Sequence, residues 1–335
     1  MTEEQNERDI EAAIIEIGDH NRPIVLSELK VFNDLDQDEA DTFEFEWTRI
    51  EPSHRRNLAQ AMQEVAEASL ELDFREVFSI LLTDQDPAIR IAAVKGMAED
   101  TRRSSLRRLS ELLVNDADDG VRANAAITLG AWALRAGEGS LDQRTSNELA
   151  QHLWAAYDDQ QTSTLVRQRL LETLGYLADS DPRVNQEIGA AYQRYDDGWQ
   201  AAALCAMGRT GLDQWLPTVT NGLRSNEPLL RFEAVRAAGE LGDLAESIVN
   251  HVARATADGD IEVATTAMWA LGQIGGSAAR RFLEQLIKEV EGVRREAAVE
   301  ALKELQFFDD PMQSLPIDDD DEDEDDYWYG EDDEE

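Results

Sequence analysis

Residues 118–130 read Asp118-Asp119-Gly120-Val121-Arg122-Ala123-Asn124-Ala125-Ala126-Ile127-Thr128-Leu129-Gly130, and this stretch decides the fold. Asp118 can accept hydrogen bonds from the free N–H groups of a helix start. Val121, Ala125 and Leu129 recur four residues apart and share one helical face. Small Ala in the middle of that face lets a second helix approach closely. Gly130, after the last apolar residue, suits a helix end.

The pattern recurs along the chain. Asp86-Pro87-Ala88-Ile89-Arg90 leads into Ala93 and Met97, and Leu165-Val166-Arg167 into Leu170, Leu174 and Gly175. Asp196-Asp197-Gly198-Trp199-Gln200 leads into Ala203, Met207 and Gly208; Leu230-Arg231 into Ala234, Ala238 and Gly239. Asp260-Ile261-Glu262-Val263-Ala264 leads into Ala267, Leu271 and Gly272, and Val293-Arg294 into Ala297, Ala298 and Ala301. Anchored on the Arg position, the copies fall at 90, 122, 167, 200, 231, 264 and 294, at spacings of 32, 45, 33, 31, 33 and 30. A weaker eighth copy precedes them, with Arg55, Leu58 and Met62.

Each copy follows another amphipathic segment: 74–82, 106–114, 149–157, 184–195, 244–256 and 279–290. Pro217 should start or kink the corresponding helix near 214–223. Two short helices cannot bury an apolar face alone, so neighbouring hairpins must stack. The Leu and Ala positions are therefore core. The anchor Arg is expected to pair with an Asp of an adjacent repeat, forming a ladder with gaps at Gln200 and Ala264 that bend the stack.

The Asp-x-x-Val-Arg-x-x-Ala-Ala-x-x-Leu-Gly signature resembles HEAT repeats, including the short subgroup named after phycobilisome lyases. The resemblance covers roughly residues 54–305 and implies an all-α, right-handed α-α superhelix of about eight hairpins. It implies protein binding more than catalysis. A bilin lyase or isomerase is the alternative that the subgroup suggests.

Around this solenoid (54–308) the ends differ. Residues 1–53 are expected to cap the first repeat, through a helix over 8–18 with Ile10, Ala13, Ile14 and Ile17 on one face. A second helix is expected over Arg22–Phe32 and a loop over Asn33–Asp41. The spacing of 45 hides an insertion near Leu134–Arg144, read as a long loop or, more sharply, a binding loop. Residues 309–335 carry 16 acids and no base, including nine consecutive acids over Asp318–Asp326. Such a segment should be disordered. It reads as a solubilising tail, or as a recognition tail in which Tyr327, Trp328 and Tyr329 dock in a groove with basic edges.

The net charge of −40 repels nucleic acid and anionic membranes. One cysteine, Cys205, rules out an internal disulfide and points to a reducing compartment. The acidic N-terminus is not a signal peptide, and no apolar run reaches membrane length. A cytoplasmic monomer is expected. The four histidines, His20, His54, His152 and His251, form no His-Glu pair of the kind in di-iron hydroxylases built on HEAT repeats. One Cys makes a zinc site improbable, no P-loop is present, and Cys205 in an Ala-rich helix reads as a buried thiol. No catalytic, cofactor or metal site is expected.

In such stacks the second helix lines the concave surface, and positions one and five after the anchor face away from the buried stripe. These are Ile91 and Lys95, Ala123 and Ile127, Gln168 and Glu172, Phe232 and Arg236, Thr265 and Trp269, Arg295 and Val299. Phe232, Arg236, Thr265, Trp269 and Arg295 form the candidate patch for a protein or peptide partner, because aromatic and Arg clusters make interface hot spots. The competing reading packs Phe232 and Trp269 within the stack. The acidic tail adds a third reading, a tail-driven binder of basic partners.

Overall fold

The computed structural model describes residues 9–69 and 71–309; the acidic run and Tyr327, Trp328 and Tyr329 lie outside them. Among the described residues all regular structure is helical. Helices α1 (Ile10–Ile17), α2 (Gln37–Trp47) and α3 (Pro52–Ala68) come first. Hairpins follow: α4 (Arg75–Leu81) with α5 (Pro87–Gly96), and α6 (Arg103–Asn115) with α7 (Asp119–Thr128). Helix α8 (Gly130–Gly137) prolongs α7, and α9 (Gln143–Asp158) pairs with α10 (Thr164–Leu174). Next come α11 (Pro182–Tyr192) with α12 (Asp197–Arg209), and α13 (Leu216–Gly222) with α14 (Pro228–Glu240). The last are α15 (Val249–Ala255) with α16 (Ile261–Ile274), and α17 (Gly276–Glu289) with α18 (Val293–Asp309).

Every anchor lies near the start of a second helix. Those helices, α3, α5, α7, α10, α12, α14, α16 and α18, pack side by side in that order, while the outer helices touch one another sparingly. A tight inner row and a splayed outer row curve the stack into a right-handed α-α superhelix with the inner row on the concave side.

The local signals work as the sequence suggests. Asp86, Asp118, Ser163, Asp196 and Asp260 cap their helices with side-chain oxygens. Pro217 stands in the first turn of α13 and starts it. The residues before the anchors, Ile89, Val121, Val166, Trp199, Leu230 and Val263, are buried, as are those three and seven after them, from Ala93 and Met97 to Ala267 and Leu271. Val293, in the last described hairpin, is 60% exposed.

The repeat glycines differ from expectation. Gly208, Gly239 and Gly272 lie inside α12, α14 and α16 and do not end them. Each instead admits the next inner helix. A Cβ on Gly208 would stand 2.7 Å from the Ala237 Cα, and one on Gly272 2.9 Å from the Ala301 carbonyl oxygen.

The Arg ladder forms in three rungs. Arg55 reaches Asp84 at 3.0 Å; Arg90 grips Asp116 with two bonds of 2.8 and 2.7 Å; Arg231 grips Asp258 at 2.7 and 3.0 Å. Each Asp stands two residues before a cap residue and also accepts that residue's backbone N–H. Between these rungs the pattern changes. Arg122 donates to the Thr162 hydroxyl at 3.0 Å. For Arg167 the corresponding position is occupied by another cation, Arg194, and both guanidiniums lie over the Trp199 ring, at 5.8 and 3.9 Å. Gln200 donates to its own turn, at the Arg194 carbonyl (2.8 Å). The gap at Ala264 is bridged by Arg294, which donates to the Asp258 carbonyl at 2.7 Å.

Three expectations about irregular segments need correcting. The span 22–32 holds only a 3-10 helix, Glu28–Phe32, whose Leu29 and Phe32 are buried. The expected loop over 33–41 instead contains the start of α2, because Asp36 and Glu39 form a capping box. The insertion is a loop over 138–142 alone: residues 134–137 close α8, which is seated on the 3-10 turn Gly175–Leu177 with Trp132 buried, and 143–144 already open α9. A Cβ on Gly137 would meet the Tyr176 carbonyl oxygen at 2.2 Å, so contact there is direct.

Two stability predictions follow from this packing. Gly208→Ala gains about 1 kcal/mol of helix propensity, yet should lose about 1–3 kcal/mol to overpacking, because backbone faces it. Gly259→Ala, with nothing within 4 Å, is the neutral control in urea unfolding. Arg90→Met strands Asp116, which is 5% exposed, and should cost about 3–5 kcal/mol; adding Asp116→Leu should recover much of it.

Candidate functional site: the concave face

Positions five and nine after each anchor project from the inner row toward the concave side. In the middle of the stack they are polar and crowded. Helix α10 supplies Glu172, α12 supplies Cys205 and Arg209, and α14 supplies Arg236 and Glu240. Tyr176 joins from the turn after α10; Arg169 and Glu233, two after their anchors, complete the cluster.

Close inner-helix packing leaves little water here. Arg169 pairs with Glu172 at 2.8 Å, and Arg236 with Glu233 at 2.8 Å and Glu240 at 3.6 Å. Arg236 also donates to the Cys205 sulfur. Arg209 lies over the Tyr176 ring, 5.0 Å from its centroid. Burial, opposed by the neighbouring guanidiniums, raises the Glu172 and Glu240 carboxyls above the ordinary range and pushes Glu233 up to about 7. Burial also pushes the Cys205 thiol well up, and its side chain is fully enclosed. A nucleophilic thiolate is therefore disfavoured.

The proposed patch spreads over three successive inner helices. Phe232 is half-buried on α14, against the core. Trp269 on α16 is half-buried too, and its indole lies where a Cβ on Gly239 would be 2.5 Å away. Thr265 turns its hydroxyl back to the Ile261 carbonyl at 2.9 Å. Arg295 on α18 is exposed, donates to the Ile287 carbonyl at 3.3 Å, and borders a surface depression with Gly292, Glu296 and Val299. Arg236 is drawn into the buried cluster and is the residue that links the patch to it. Of the other positions one and five after an anchor, Ala123 and Glu172 are buried, whereas Lys95 and Ile127 are exposed.

The sequence reading missed Arg169, Tyr176, Arg209, Glu233 and Glu240. Their signal was present at two and nine residues after the anchor, and the reading used only one and five.

Among the described residues no three His, Cys, Asp or Glu side chains converge to hold a metal, and no helix is long and apolar enough to cross a membrane.

These features define an α-solenoid whose inner helices carry the surface chemistry. The model of HEAT repeats matches residues 74–175 and 216–303, and the chain belongs to that family. Its fold is similar to that in the complex of CpcE and CpcF of phycocyanin lyase from Nostoc sp. PCC7120, at 17% identity, 69% of this chain, 94% of that one and a TM-score of 0.46. It is also similar to human deoxyhypusine hydroxylase (17% identity, 80% and 96% covered, TM-score 0.35) and to importin beta (13%, 84% and 44%, TM-score 0.43). Likeness at this level is one of fold alone. The comparison with curated proteins found no match.

Glu233 gives a pH signature. Its folded carboxyl holds a proton up to about 7, against 4.5 ordinarily. Its contribution to stability is therefore full below its unfolded value and is lost as the pH rises through about 7. Glu233→Gln removes this titration, so the variant should gain on the parent as the pH rises from 5 to 8. Melting curves of both proteins at each pH decide it; a constant difference would contradict the assignment.

Proposed function

We propose that the chain is a non-catalytic, cytoplasmic scaffold that holds a protein or peptide partner along its concave face. The observation that carries this reading is the inner row itself. Successive inner helices offer their side chains along one row, and Phe232, Arg236, Thr265, Trp269 and Arg295 belong to its last three, α14, α16 and α18. Half-buried aromatics beside guanidiniums offer contact area that is already ordered, which lowers the entropic cost of binding. The whole-chain charge of −40 favours partners of basic character.

A photo-crosslinking residue tests this. Placed at Thr265 on α16, it should trap the native partner in a single stoichiometric adduct. Placed at Arg281, exposed on the outer helix α17, it should trap none. Adducts from α17 alone would overturn the concave-face assignment. Phe232→Ala with Trp269→Ala should weaken the complex about a hundredfold or more, as expected for two hot-spot residues.

A further inference from the structure

We propose that the guanidinium cluster on α10, α12 and α14 is a receptor for an acidic side chain, an Asp or Glu carboxylate of a segment lying along the concave face. The proposal rests on the scaffold reading above and specifies the chemistry of its anchor.

The cluster is formally balanced, with Arg169, Arg209 and Arg236 against Glu172, Glu233 and Glu240. Its hydrogen bonds are not balanced. Four buried guanidinium donors lack an acceptor: Nε of Arg169, Nε and Nη1 of Arg209, and Nε of Arg236. Among the fully enclosed oxygens of the cluster, Glu233 Oε2 also lacks a hydrogen bond, although it sits 2.8 Å from Arg236 Nη2. Glu172 pairs with Arg169 and Glu233 with Arg236, while Glu240 stands 3.6 Å from Arg236 Nε, beyond hydrogen-bond reach. Among the described residues no carboxylate forms an ion pair with Arg209: Glu172 and Glu240 act on its charge from farther off, and its guanidinium lies over the Tyr176 ring.

Buried guanidiniums are ordinarily paired, because a charge left without acceptors is costly to desolvate. A donor surplus is met by an acceptor from outside, and a carboxylate matches the guanidinium fork best. Access exists: 30% of the Arg169 side chain and 27% of the Arg236 side chain remain exposed. Phe232 and Trp269 flank the site on the neighbouring stretch of the inner row and supply apolar contact beside the charge. The −40 chain repels a uniformly acidic ligand, so the anchor belongs to a segment that is otherwise neutral or basic.

Proton uptake should accompany binding. The groups facing the anchor are Arg169 and Glu172 from α10, Tyr176 from the turn, Cys205 and Arg209 from α12, and Glu233, Arg236 and Glu240 from α14. An added carboxylate disfavours the ionised form of the three glutamates, so affinity should be higher at pH 6 than at pH 8.

A phage library of random 12-residue peptides, selected on the full chain, tests the receptor. Selected peptides should share an Asp or Glu at one position, and changing that Glu to Gln should weaken binding about tenfold or more by calorimetry. Arg209→Met should abolish the preference for Glu over Gln while melting no lower than the parent. Binders indifferent to the Glu-to-Gln change would overturn the receptor and leave the concave-face reading standing. A library yielding no binder would overturn both. An Arg209→Met protein that melts well below the parent would mark Arg209 as a structural cation and overturn the receptor.

Discussion

Everything in this fold depends on how closely the inner helices can approach one another. The row from α10 to α18 is closed at small residues: Gly175 faces the Ala206 backbone, Gly208 faces Ala237, and Gly272 faces Ala301. Helices that meet backbone to backbone lose no space to side chains at the contact. The outer helices carry Leu, Phe and Trp in their buried faces and cannot come as near. The difference in spacing between the rows produces curvature, and curvature turns a row of ordinary helix positions into a concave surface.

The same contact explains why charge is buried where a surface would be expected. Side chains at positions five and nine after the anchor emerge from closely spaced helices into a narrow space. Where they are small or aliphatic, as at Ile127, they stay exposed without consequence. Where Arg and Glu occupy them on three successive helices, they stack over one another and lose water together. The shifted carboxyls of Glu172, Glu233 and Glu240 follow from geometry set by glycine.

Register along the stack is held at the other end of the inner helices by the Arg ladder. The Asp of each regular rung serves two helices, accepting the guanidinium of one repeat and the backbone N–H of the next helix start. This coupling of cap to rung makes the spacing near 32 residues a structural unit. Where α8 is inserted the unit is stretched, and the rungs on either side of α10 are replaced by Thr162 and by Trp199. The Trp199 ring offers its π face to two guanidiniums, like charges that the regular pattern would have placed opposite one another. Such substitutions keep the stack continuous where the repeat is irregular.

Much of this was legible in the chain because the determinants are local and periodic. Caps such as Asp118 and core positions such as Val121 and Ala125 declare themselves within a dozen residues. The role of Gly208 did not, since a glycine near a helix end and a glycine at a helix crossing look alike until the neighbouring helix is placed. Helix α2 was hidden in an acidic stretch, although Asp36 and Glu39 carry a capping box. The concave cluster required knowing that curvature draws Arg209 on α12 toward Glu172 on α10 and Glu240 on α14, each from a separate repeat. A stack selected for stability alone would have little reason to keep the six charges there, because apolar side chains of similar volume replacing the whole set would bury without loss. The regular repeats show that the fold closes readily with Ala and Leu. The polar centre is therefore the place where the sequence departs from what packing favours, and such departures are where a solenoid carries its specificity.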